Sequence, residues 1–256
     1  MRFAAFVDGP NLMGSFRNLG LNIDDYQSFY NFVMRRAVAE WSKCVVGECE
    51  TTTLVWRVFW YQIGSIDELR FDNPAFEESL RRNFERDAEL KHSFVSAAQR
   101  ENHPDPEEGA WGMCLSEGKE WYEKKRADLR KMNQFNRAVR NNTRFVDIIE
   151  CGHWKLDILR KNLHEKGIDT SLAVDLATMT DSYDVAVVLS GDADMLPSIN
   201  HAKKHKGKQI GIVELKNDDD SRGQQSSARL RNHADFVVSI GKTELLGEGI
   251  CAERQY

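Results

Sequence analysis

The sequence predicts an α/β fold built on a central, mostly parallel sheet. Two short apolar runs, at 3–7 and 185–189, are typical of strands that are buried on both faces of such a sheet. Both runs end at acidic residues, Asp8 after the first and Asp192 with Asp194 after the second. In open α/β sheets, ligands bind beyond the carboxyl ends of the strands. The two strand ends are therefore where a functional site is expected.

Composition limits the class of protein. The chain has 256 residues, of which 41% are hydrophobic and 29% charged, as in a soluble globular protein with a substantial core. Its net charge of −5 gives no global sign of nucleic-acid binding, although acids clustered in one site can mask a basic rim. No apolar run is long enough to span a membrane, and a strand begins too early to leave room for a signal peptide. The five cysteines lack paired spacing, so we expect reduced thiols in a cytoplasmic protein.

The first part of the chain is predicted to add one helix and one strand to the strand at 3–7. Gly9 and Pro10 turn the chain after Asp8, and a loop is expected before the helix. The helix is predicted at 26–41, where apolar residues recur at helical spacing. The strand is predicted at 52–63, which is rich in Val, Trp, Phe and Tyr.

A helical insertion is predicted at about 65–142, between two strands of the sheet. One helix begins at Pro74 and carries an apolar residue at every fourth position as far as Ala88, and a second helix covers 119–140. Parallel strands need only one crossover helix, so the insertion is longer than the fold requires. We therefore expect a helical hairpin that serves substrate choice, a partner or self-association.

The second helix of the insertion is locally basic. Lys and Arg outnumber Asp and Glu over 119–144. A solvated helix face with i,i+4 ion pairs accounts for this pattern. An arm that follows the phosphates of a nucleic acid, with Trp121 and Tyr122 as stacking groups, accounts for it as well. Both interpretations stay open.

The remaining segments are predicted to complete the sheet and its helices. In order, they are a strand at 144–149, a helix from Lys155 to about Glu165, a helix that begins at Asp169, the strand at 185–189, a helix to about Lys204, a strand at 209–215, a short helix and a strand at 235–240.

Asp192 and Asp194 are the first sign of a metal site. They lie one residue apart, after a buried strand that needs neither of them. A turn residue followed by a helix N-cap accounts for the same pair, and this stretch alone does not separate the two interpretations. Asp169, taken by itself, is an ordinary N-cap. Because Asp8 also ends a buried strand, the two ends of the chain together favour the metal site.

Three blocks of sequence resemble the signature motifs of the NYN domain, in its LabA-like branch of the PIN-like nuclease superfamily. The blocks are FVDGPNL at 6–12, KGIDTSLAVDLATM at 166–179 and VVLSGDADMLPSI at 187–199, and they occur in family order. The resemblance covers about 3–63 and 144–241 and leaves the middle hairpin outside it. It implies a Rossmann-like, three-layer PIN-like fold, and we expect residues 1–256 to form a single domain of this kind.

The resemblance implies a metal-dependent ribonuclease, and specifically an endonuclease. Asp8, Asp169, Asp192 and Asp194 would be its catalytic and metal-binding residues. Four converging carboxylates repel one another, which a divalent cation relieves, and hard oxygen ligands favour Mg²⁺ or Mn²⁺. In such a site an activated water attacks the phosphodiester while the metal steadies the developing charge. Asp175 follows Asp169 by six residues and is expected to point elsewhere, in a supporting role.

Further residues are expected to contact the substrate. Asn11 and Ser190 would orient the scissile phosphate or the attacking water. Lys155 and Lys166 would contact backbone phosphates. The expected partner is RNA, single-stranded or structured, with DNA as a second candidate. The insertion is also a candidate surface for oligomerisation.

Two other functions remain as alternatives. A catalytically inactive NYN-type nucleic-acid-binding module would keep the fold, but it has no reason to retain all four aspartates. A receiver-type phosphoacceptor would use Asp8, Ser190 and Lys216, yet that fold needs an acidic pair after the first strand, where this chain has Asp8 alone. A haloacid-dehalogenase-type phosphatase needs Asp-x-Asp at the same place, and here the second position is Pro10.

Overall fold

A seven-stranded sheet with helices on its faces is the centre of this computed structural model, which describes residues 1–46, 55–218 and 228–254. In chain order, the strands and helices of the described residues are β1 (Arg2–Asp8), α1 (Gly9–Leu19), β2 (Leu21–Ile23), α2 (Tyr26–Trp41), β3 (Val55–Ile66), α3 (Pro74–Arg86), α4 (Ala88–Arg100), α5 (Pro106–Asn142), β4 (Val146–Asp157), β5 (Asn162–Lys166), α6 (Ile168–Thr178), β6 (Val185–Leu189), α7 (Leu196–Lys206), β7 (Gln209–Lys216), α8 (Ala228–His233), β8 (Phe236–Gly241), α9 (Lys242–Gly247) and β9 (Cys251–Glu253).

The large sheet is mostly parallel, as the sequence predicted. Its strand order is β5-β4-β3-β1-β6-β7-β8. β1 pairs in parallel with β3 and with β6, and β6, β7 and β8 continue in parallel. The amides of Val58 and Asp67 donate to the carbonyls of Phe145 and Trp154, a constant offset that makes β3 and β4 parallel as well. At one edge β5 is antiparallel to β4.

Helices cover both faces of the sheet, which gives the three-layer PIN-like architecture. Phe3 and Val7 of β1 join the core cluster that contains residues of α1 and α2. Phe6 points to the opposite face, where its ring lies 5.5 Å from that of Tyr183. α6 packs against β1 and α7 against β7. Because both faces are covered, β6 is buried at every position, which explains its uninterrupted apolar sequence.

The predicted helix from Lys155 to Glu165 is wrong. β4 continues to Asp157, and after a turn β5 pairs back on it in antiparallel register. Asp157 stabilises the turn, because its Oδ1 accepts a hydrogen bond of 3.1 Å from the Arg160 amide. Lys161 completes it with a φ of 49°, in the left-handed region. Strand pairing therefore overrides the local helical propensity of this segment.

Several boundaries differ from those predicted. The loop expected after Asn11 is instead most of the helix α1, and β2, α9 and β9 lie where no element was predicted. β3 ends at Ile66, three residues beyond the predicted end, while the predicted start at 52–54 lies outside the described residues. β4 begins at Val146 rather than at 144. The strands that lead to Asp8 and to Ser190 lie where the sequence placed them.

The chain divides into two compact units. The first comprises Met1–Ile63, Phe135–Gly152 and Gly167–Tyr256, and the second comprises Gly64–Gln134 and His153–Lys166. The predicted insertion at 65–142 thus corresponds largely to the second unit, which also takes in the β4–β5 turn. That the whole chain forms a single NYN domain stays a prediction.

The second unit has its own apolar core. The first predicted helix of the insertion is divided into α3 and α4 at Asp87, whose Oδ1 accepts a hydrogen bond from the Leu90 amide as the N-cap of α4. Phe84 of α3 packs against Phe94 of α4 and Trp111 of α5, with ring centroids 6.3 and 5.7 Å apart. α5 begins at Pro106, well before the predicted start at 119.

Tyr122 of α5 is not an exposed stacking group. The residue is buried, and its hydroxyl donates to the Asp67 carbonyl and accepts from the Leu69 amide, both at 3.1 Å. Its aromatic ring therefore helps to hold the segment after β3.

Among the helices that the structure describes, none is long and apolar enough to cross a bilayer.

Candidate active site

Asp8 has two structural roles at the carboxyl end of β1. It is the last residue of the strand and the N-cap of α1, where its Oδ1 accepts a hydrogen bond of 3.0 Å from the Asn11 amide. The residue is only 6% exposed. A carboxylate at this depth needs polar partners, and the helix N-terminus supplies one of them.

Ser190 connects Asp8 to the turn that follows β6. Its hydroxyl donates to Asp8 Oδ2 at 3.4 Å and accepts a hydrogen bond of 3.2 Å from the Asp192 amide. Asp192 Oδ1 in turn accepts from the Asp194 amide at 2.9 Å. Since β1 and β6 are adjacent parallel strands, their carboxyl ends meet at one edge of the sheet. The hydrogen bonds thus join three of the four predicted aspartates in one network.

Asp169 is coupled to the same network by charge. It lies in the first turn of α6, after Gly167, whose φ of 93° favours glycine. Partial burial raises the pKa of its carboxyl, and the carboxylates of Asp192 and Asp194 raise that pKa further. Within the described residues, neither Asp169 nor Asp192 nor Asp194 forms an ion pair with a basic side chain. The repulsion among these acids is therefore not relieved by a nearby Lys or Arg.

Close packing beside Asp8 explains Gly9. A Cβ atom built at Gly9 would lie 2.5 Å from the Tyr61 carbonyl oxygen and 2.6 Å from Gln62 Nε2. Because backbone cannot give way as a flexible side chain can, no larger residue fits here without a shift of β3 or α1. The Asn11 side chain lies on the other side of the site, with its Nδ2 3.5 Å from a Cβ built at Gly191. Asn11 is thus next to the turn that carries Asp192.

A pair of residues that the sequence did not connect supports the edge of the site. Tyr61, which is fully buried in the middle of β3 and in register with Asp8, donates a hydrogen bond of 2.8 Å to Asp175 Oδ2. Burial raises the pKa of Tyr61, and the Asp175 carboxylate raises it further, so the phenol stays protonated and keeps donating. Asp175 therefore contacts β3, in line with its expected supporting role.

The structure brings most of the predicted site residues to the point where the strand order reverses. β3 extends the sheet on one side of β1 and β6 extends it on the other, and crevices at such switch points bind ligands in α/β proteins. Asp8, Asn11, Asp169, Ser190 and the Asp192 turn lie at this edge. Lys155 and Lys166, in contrast, belong to the second unit, and their predicted contacts with phosphates stay a prediction.

The chemistry of these residues suits a hard divalent cation, although no ligand set is preformed. Carboxylate oxygens are the preferred ligands of Mg²⁺ and Mn²⁺, and mutual repulsion among acids favours their binding. Among the residues that the structure describes, however, no three His, Cys, Asp or Glu side chains are grouped closely enough to hold a metal ion. One oxygen of Asp192 is already occupied by the Asp194 amide. The donor set therefore fits in kind, and its side chains would have to turn toward one another to bind metal.

Comparison with known protein families gives a match over part of the chain. The family model for the NYN domain matches residues 118–241, from the middle of α5 to the end of β8. The match includes Asp169, Ser190, Asp192 and Asp194 but begins after Asp8, and it leaves the LabA-like branch a prediction. No curated protein and no solved structure gives a significant match to the chain. Residues 118–241 thus match the NYN domain family, which is part of the PIN-like nuclease superfamily.

Proposed function

We propose that the protein is a metal-dependent endoribonuclease that hydrolyses RNA phosphodiester bonds at the aspartate network. The observation that carries the proposal is the chain of hydrogen bonds from Asp8 through Ser190 and Asp192 to Asp194, at the switch point of the sheet. The raised pKa of Asp169 supports it, because partial burial first and the carboxylates of Asp192 and Asp194 next disfavour its ionised form. The NYN domain supports the nuclease class.

In this proposal Asp8, Asp169, Asp192 and Asp194 hold Mg²⁺ or Mn²⁺. The ion would lower the pKa of a bound water and steady the charge on the phosphate. The chain's own contribution is to fix the carboxylates. Ser190 and the Asn11 amide hold both oxygens of Asp8, and the Asp194 amide holds Asp192. The Asn11 side chain, beside Gly191, is placed to orient the scissile phosphate or the water.

The proposed partner is RNA, with DNA as a second candidate substrate. Lys155 and Lys166 are proposed to contact phosphates, and the insertion is a candidate surface for self-association. The cytoplasm is the proposed location, which suits the four cysteines in the described residues, Cys44, Cys114, Cys151 and Cys251, all of which are free thiols. Cys49 lies outside the described residues.

Two alternatives make different predictions. An inactive nucleic-acid-binding module would bind RNA but would not cleave it, whichever metal ion is present. A receiver-type phosphoacceptor would need a phosphorylatable Asp at the end of the third predicted strand. That predicted strand ends at Ile148, Ile149 and Glu150, and in the structure β4 continues past them to Asp157. The uncompensated carboxylates favour the nuclease, because a binding surface for RNA phosphates would not place them there.

Metal binding can be tested separately from cleavage by thermal unfolding. Mg²⁺ or Mn²⁺ should raise the melting temperature of the wild-type protein, since an ion that binds only the folded site stabilises it by mass action. In Asp169→Asn and Asp192→Asn the increase should be much smaller. An exposed aspartate outside the site, Asp72, gives the matched control Asp72→Asn, which should keep the full increase. Equal increases in all four proteins would contradict a metal site at these aspartates.

A further inference from the structure

The second unit contains a cavity that the proposed chemistry does not use. The cavity has a volume of about 630 Å³ and lies between α3 and the β4–β5 hairpin. This volume falls in the range of small-molecule and cofactor sites in proteins. The lining residues are Leu80, Asn83, Asp87, Lys155, Leu156, Asp157, Leu159, Arg160, His164 and Lys166.

Strand pairing concentrates positive charge on one side of this cavity. In the antiparallel register of β4 and β5, Lys155 lies directly opposite His164, and His153 lies opposite Lys166. Residues two apart share a face, so Lys155, His164 and Lys166 lie on the same face of the hairpin. Lys155 and Lys166 are diagonal neighbours on this face, close enough for their long side chains to approach a single anion. The hairpin therefore holds an arrangement that an anionic ligand would stabilise.

The acids that line the cavity are already engaged. Asp87 Oδ2 accepts from Arg160 Nε at 2.8 Å, and Asp157 Oδ1 accepts from the Arg160 amide at 3.1 Å. Arg160 thus pairs with Asp87, while Asp157 accepts only a backbone amide and keeps its charge. Within the described residues, neither Lys155 nor Lys166 has a carboxylate within ion-pair distance. The two lysines therefore form no direct ion pair, in a lining where Lys and Arg outnumber Asp.

A nearby acid outside the cavity lining is engaged as well. Asp67 lies in the electrostatic range of Lys155, but its Oδ1 contacts His153 Nε2 at 2.7 Å and its Oδ2 accepts from the Leu156 amide at 2.8 Å. Both oxygens therefore hold the hairpin in place. Asp67 weakens the field at Lys155 without pairing with it.

Part of the cavity lining is apolar. Leu80 of α3, Leu156 of β4 and Leu159 of the turn contribute aliphatic surface. Asn83, one turn after Leu80, adds an amide that can donate and accept hydrogen bonds. A ligand with a flat apolar part and a phosphate matches this lining. Its apolar part would remove the leucines from water, and its phosphate would approach the lysines.

We propose that the cavity is a nucleotide-binding site of the second unit, in which Lys155, Lys166 and His164 hold the phosphate and the leucines contact the base. The ligand is a free nucleotide or one nucleotide of an RNA chain, which share this chemistry. The site does not rest on the proposed nuclease activity, since binding needs neither the aspartates nor cleavage. Lys155 and Lys166 thereby gain a specific ligand class, in place of a general contact with phosphates.

The experiment measures equilibrium binding to the full chain in EDTA, by calorimetry with uridine 5′-monophosphate and with uridine. The monophosphate should bind and uridine should bind much more weakly, since uridine lacks the phosphate. In the double variant Lys155→Gln/Lys166→Gln, affinity for the monophosphate should fall by about tenfold or more, because each lost contact is charge-assisted. The matched control is Lys204→Gln/Lys206→Gln, which removes two exposed lysines of α7 and should bind as the wild type does.

Fluorescence anisotropy with a labelled single-stranded RNA separates the two sources of the nucleotide. If the site accepts RNA, the double variant should bind this RNA more weakly, and the slope of log affinity against log salt should decrease by about 1.4 in magnitude. Binding of the free monophosphate with an unchanged RNA slope would assign the site to free nucleotides. Equal affinities of the double variant and the wild type for both probes, or equal binding of uridine and its monophosphate, would overturn the proposal.

The experiment distinguishes failure of the nucleotide-binding proposal from failure of the nuclease proposal. Uridine 5′-monophosphate has no internucleotide bond, so its binding is independent of any cleavage. The RNA used for anisotropy is checked on a gel after the titration, so that the RNA signal is read only from intact chains. Loss of monophosphate binding in Lys155→Gln/Lys166→Gln therefore supports the cavity even if the protein cleaves no RNA.

Discussion

Asp169 is the residue whose electrostatics most directly report the crowding of the site. Its raised pKa means that its ionised form is disfavoured in the folded protein, by partial burial first and by Asp192 and Asp194 next. At pH 7 that ionised carboxylate therefore lowers the free energy of unfolding. The effect disappears as the pH falls below the ordinary carboxyl range, where the group is protonated in both the folded and unfolded states.

Replacement of Asp169 by Asn should consequently raise the melting temperature at pH 7 in EDTA. The gain should shrink as the pH approaches 4, because the wild-type carboxyl is then protonated too. Thermal unfolding of both proteins across this pH range measures the difference, and Asp72→Asn controls for a general effect of charge. A lower melting temperature for Asp169→Asn at pH 7 would show that the carboxylate stabilises the fold instead.

Substitutions of Tyr61 and Asp175 test whether their partly buried hydrogen bond holds α6 to β3. Tyr61→Phe keeps the packed ring but removes the donor to Asp175, which should cost about 1 kcal/mol of unfolding free energy. A double-mutant cycle with Asp175→Ala isolates the interaction, since the second substitution should then add little. Denaturant unfolding gives the four values. Fully additive effects would mean that the two side chains do not interact in solution.

The sequence revealed the acidic residues of the site but not their supports. Asp8 and Asp192 could be predicted because each directly follows a buried apolar run, and parallel strands bring such ends to one edge. Tyr61 gave no signal, since it belongs to a strand in which aromatic residues are simply core. Its hydrogen bond to Asp175 depends on the approach of α6 to β3, which no local pattern encodes.

Among the elements, the β4–β5 hairpin shows why one local prediction failed. The segment from Lys155 to Glu165 has no strong turn residue, such as Gly or Pro, that would have indicated a hairpin. The turn depends instead on Asp157 and on Lys161 in a left-handed conformation, which a sequence pattern does not reveal. The correction also has a consequence for function, because the hairpin forms one wall of the cavity.

The predicted core strands were found because their burial leaves a simple pattern. β6 is apolar at all five positions, and its limits agree with those predicted.

The long α5 was predicted too short because its first turns contain Gly109 and Gly112, which weaken the helical signal. Contacts within the second unit supply what propensity lacks, since Trp111 packs against Phe84.

The basic face of α5 is partly neutralised within its own helix. Lys125 pairs with Asp128 at 3.1 Å and Arg126 with Glu123 at 3.0 Å, as a solvated face with short-range ion pairs predicts. Lys124 and Lys131 are exposed and have no ion pair with the described residues. Arg130 and Arg137 share these properties, so all four residues remain for contact with RNA.

If α5 binds RNA, Lys124→Gln/Lys131→Gln should weaken binding and reduce the salt slope by about 1.4 in magnitude for a single strand. The same titration on Lys204→Gln/Lys206→Gln serves as the control for loss of two positive charges. Anisotropy with a labelled oligonucleotide in EDTA provides both affinity and slope. An unchanged slope would mean that this face of α5 does not bind RNA and instead faces solvent or a protein partner.

At the scale of the whole molecule, the parallel α/β architecture followed from the sequence, whereas the division into two units did not. Buried strands and their acidic ends are local signals, and the NYN motifs supplied their order. The second unit draws on two separate segments, Gly64–Gln134 and His153–Lys166, and only tertiary contacts join them. The sheet and its helices could therefore be predicted from the sequence, whereas the second unit and its cavity could be recognised only from the structure.

The central claim is that the aspartate network hydrolyses RNA with the help of a divalent cation, and cleavage of end-labelled RNA by wild type and Asp192→Asn tests it most directly. We expect the wild type to cleave RNA internally in the presence of Mg²⁺ or Mn²⁺ and cleavage to stop in EDTA. Labelled DNA of the same sequence measures the preference for RNA over DNA. Asp192→Asn should remain folded, and its cleavage rate should fall by about two orders of magnitude or more, because a carboxylate of the site is lost. Asp72→Asn should cleave as the wild type does. Undiminished cleavage by Asp192→Asn, or cleavage that persists after thorough chelation, would contradict the account.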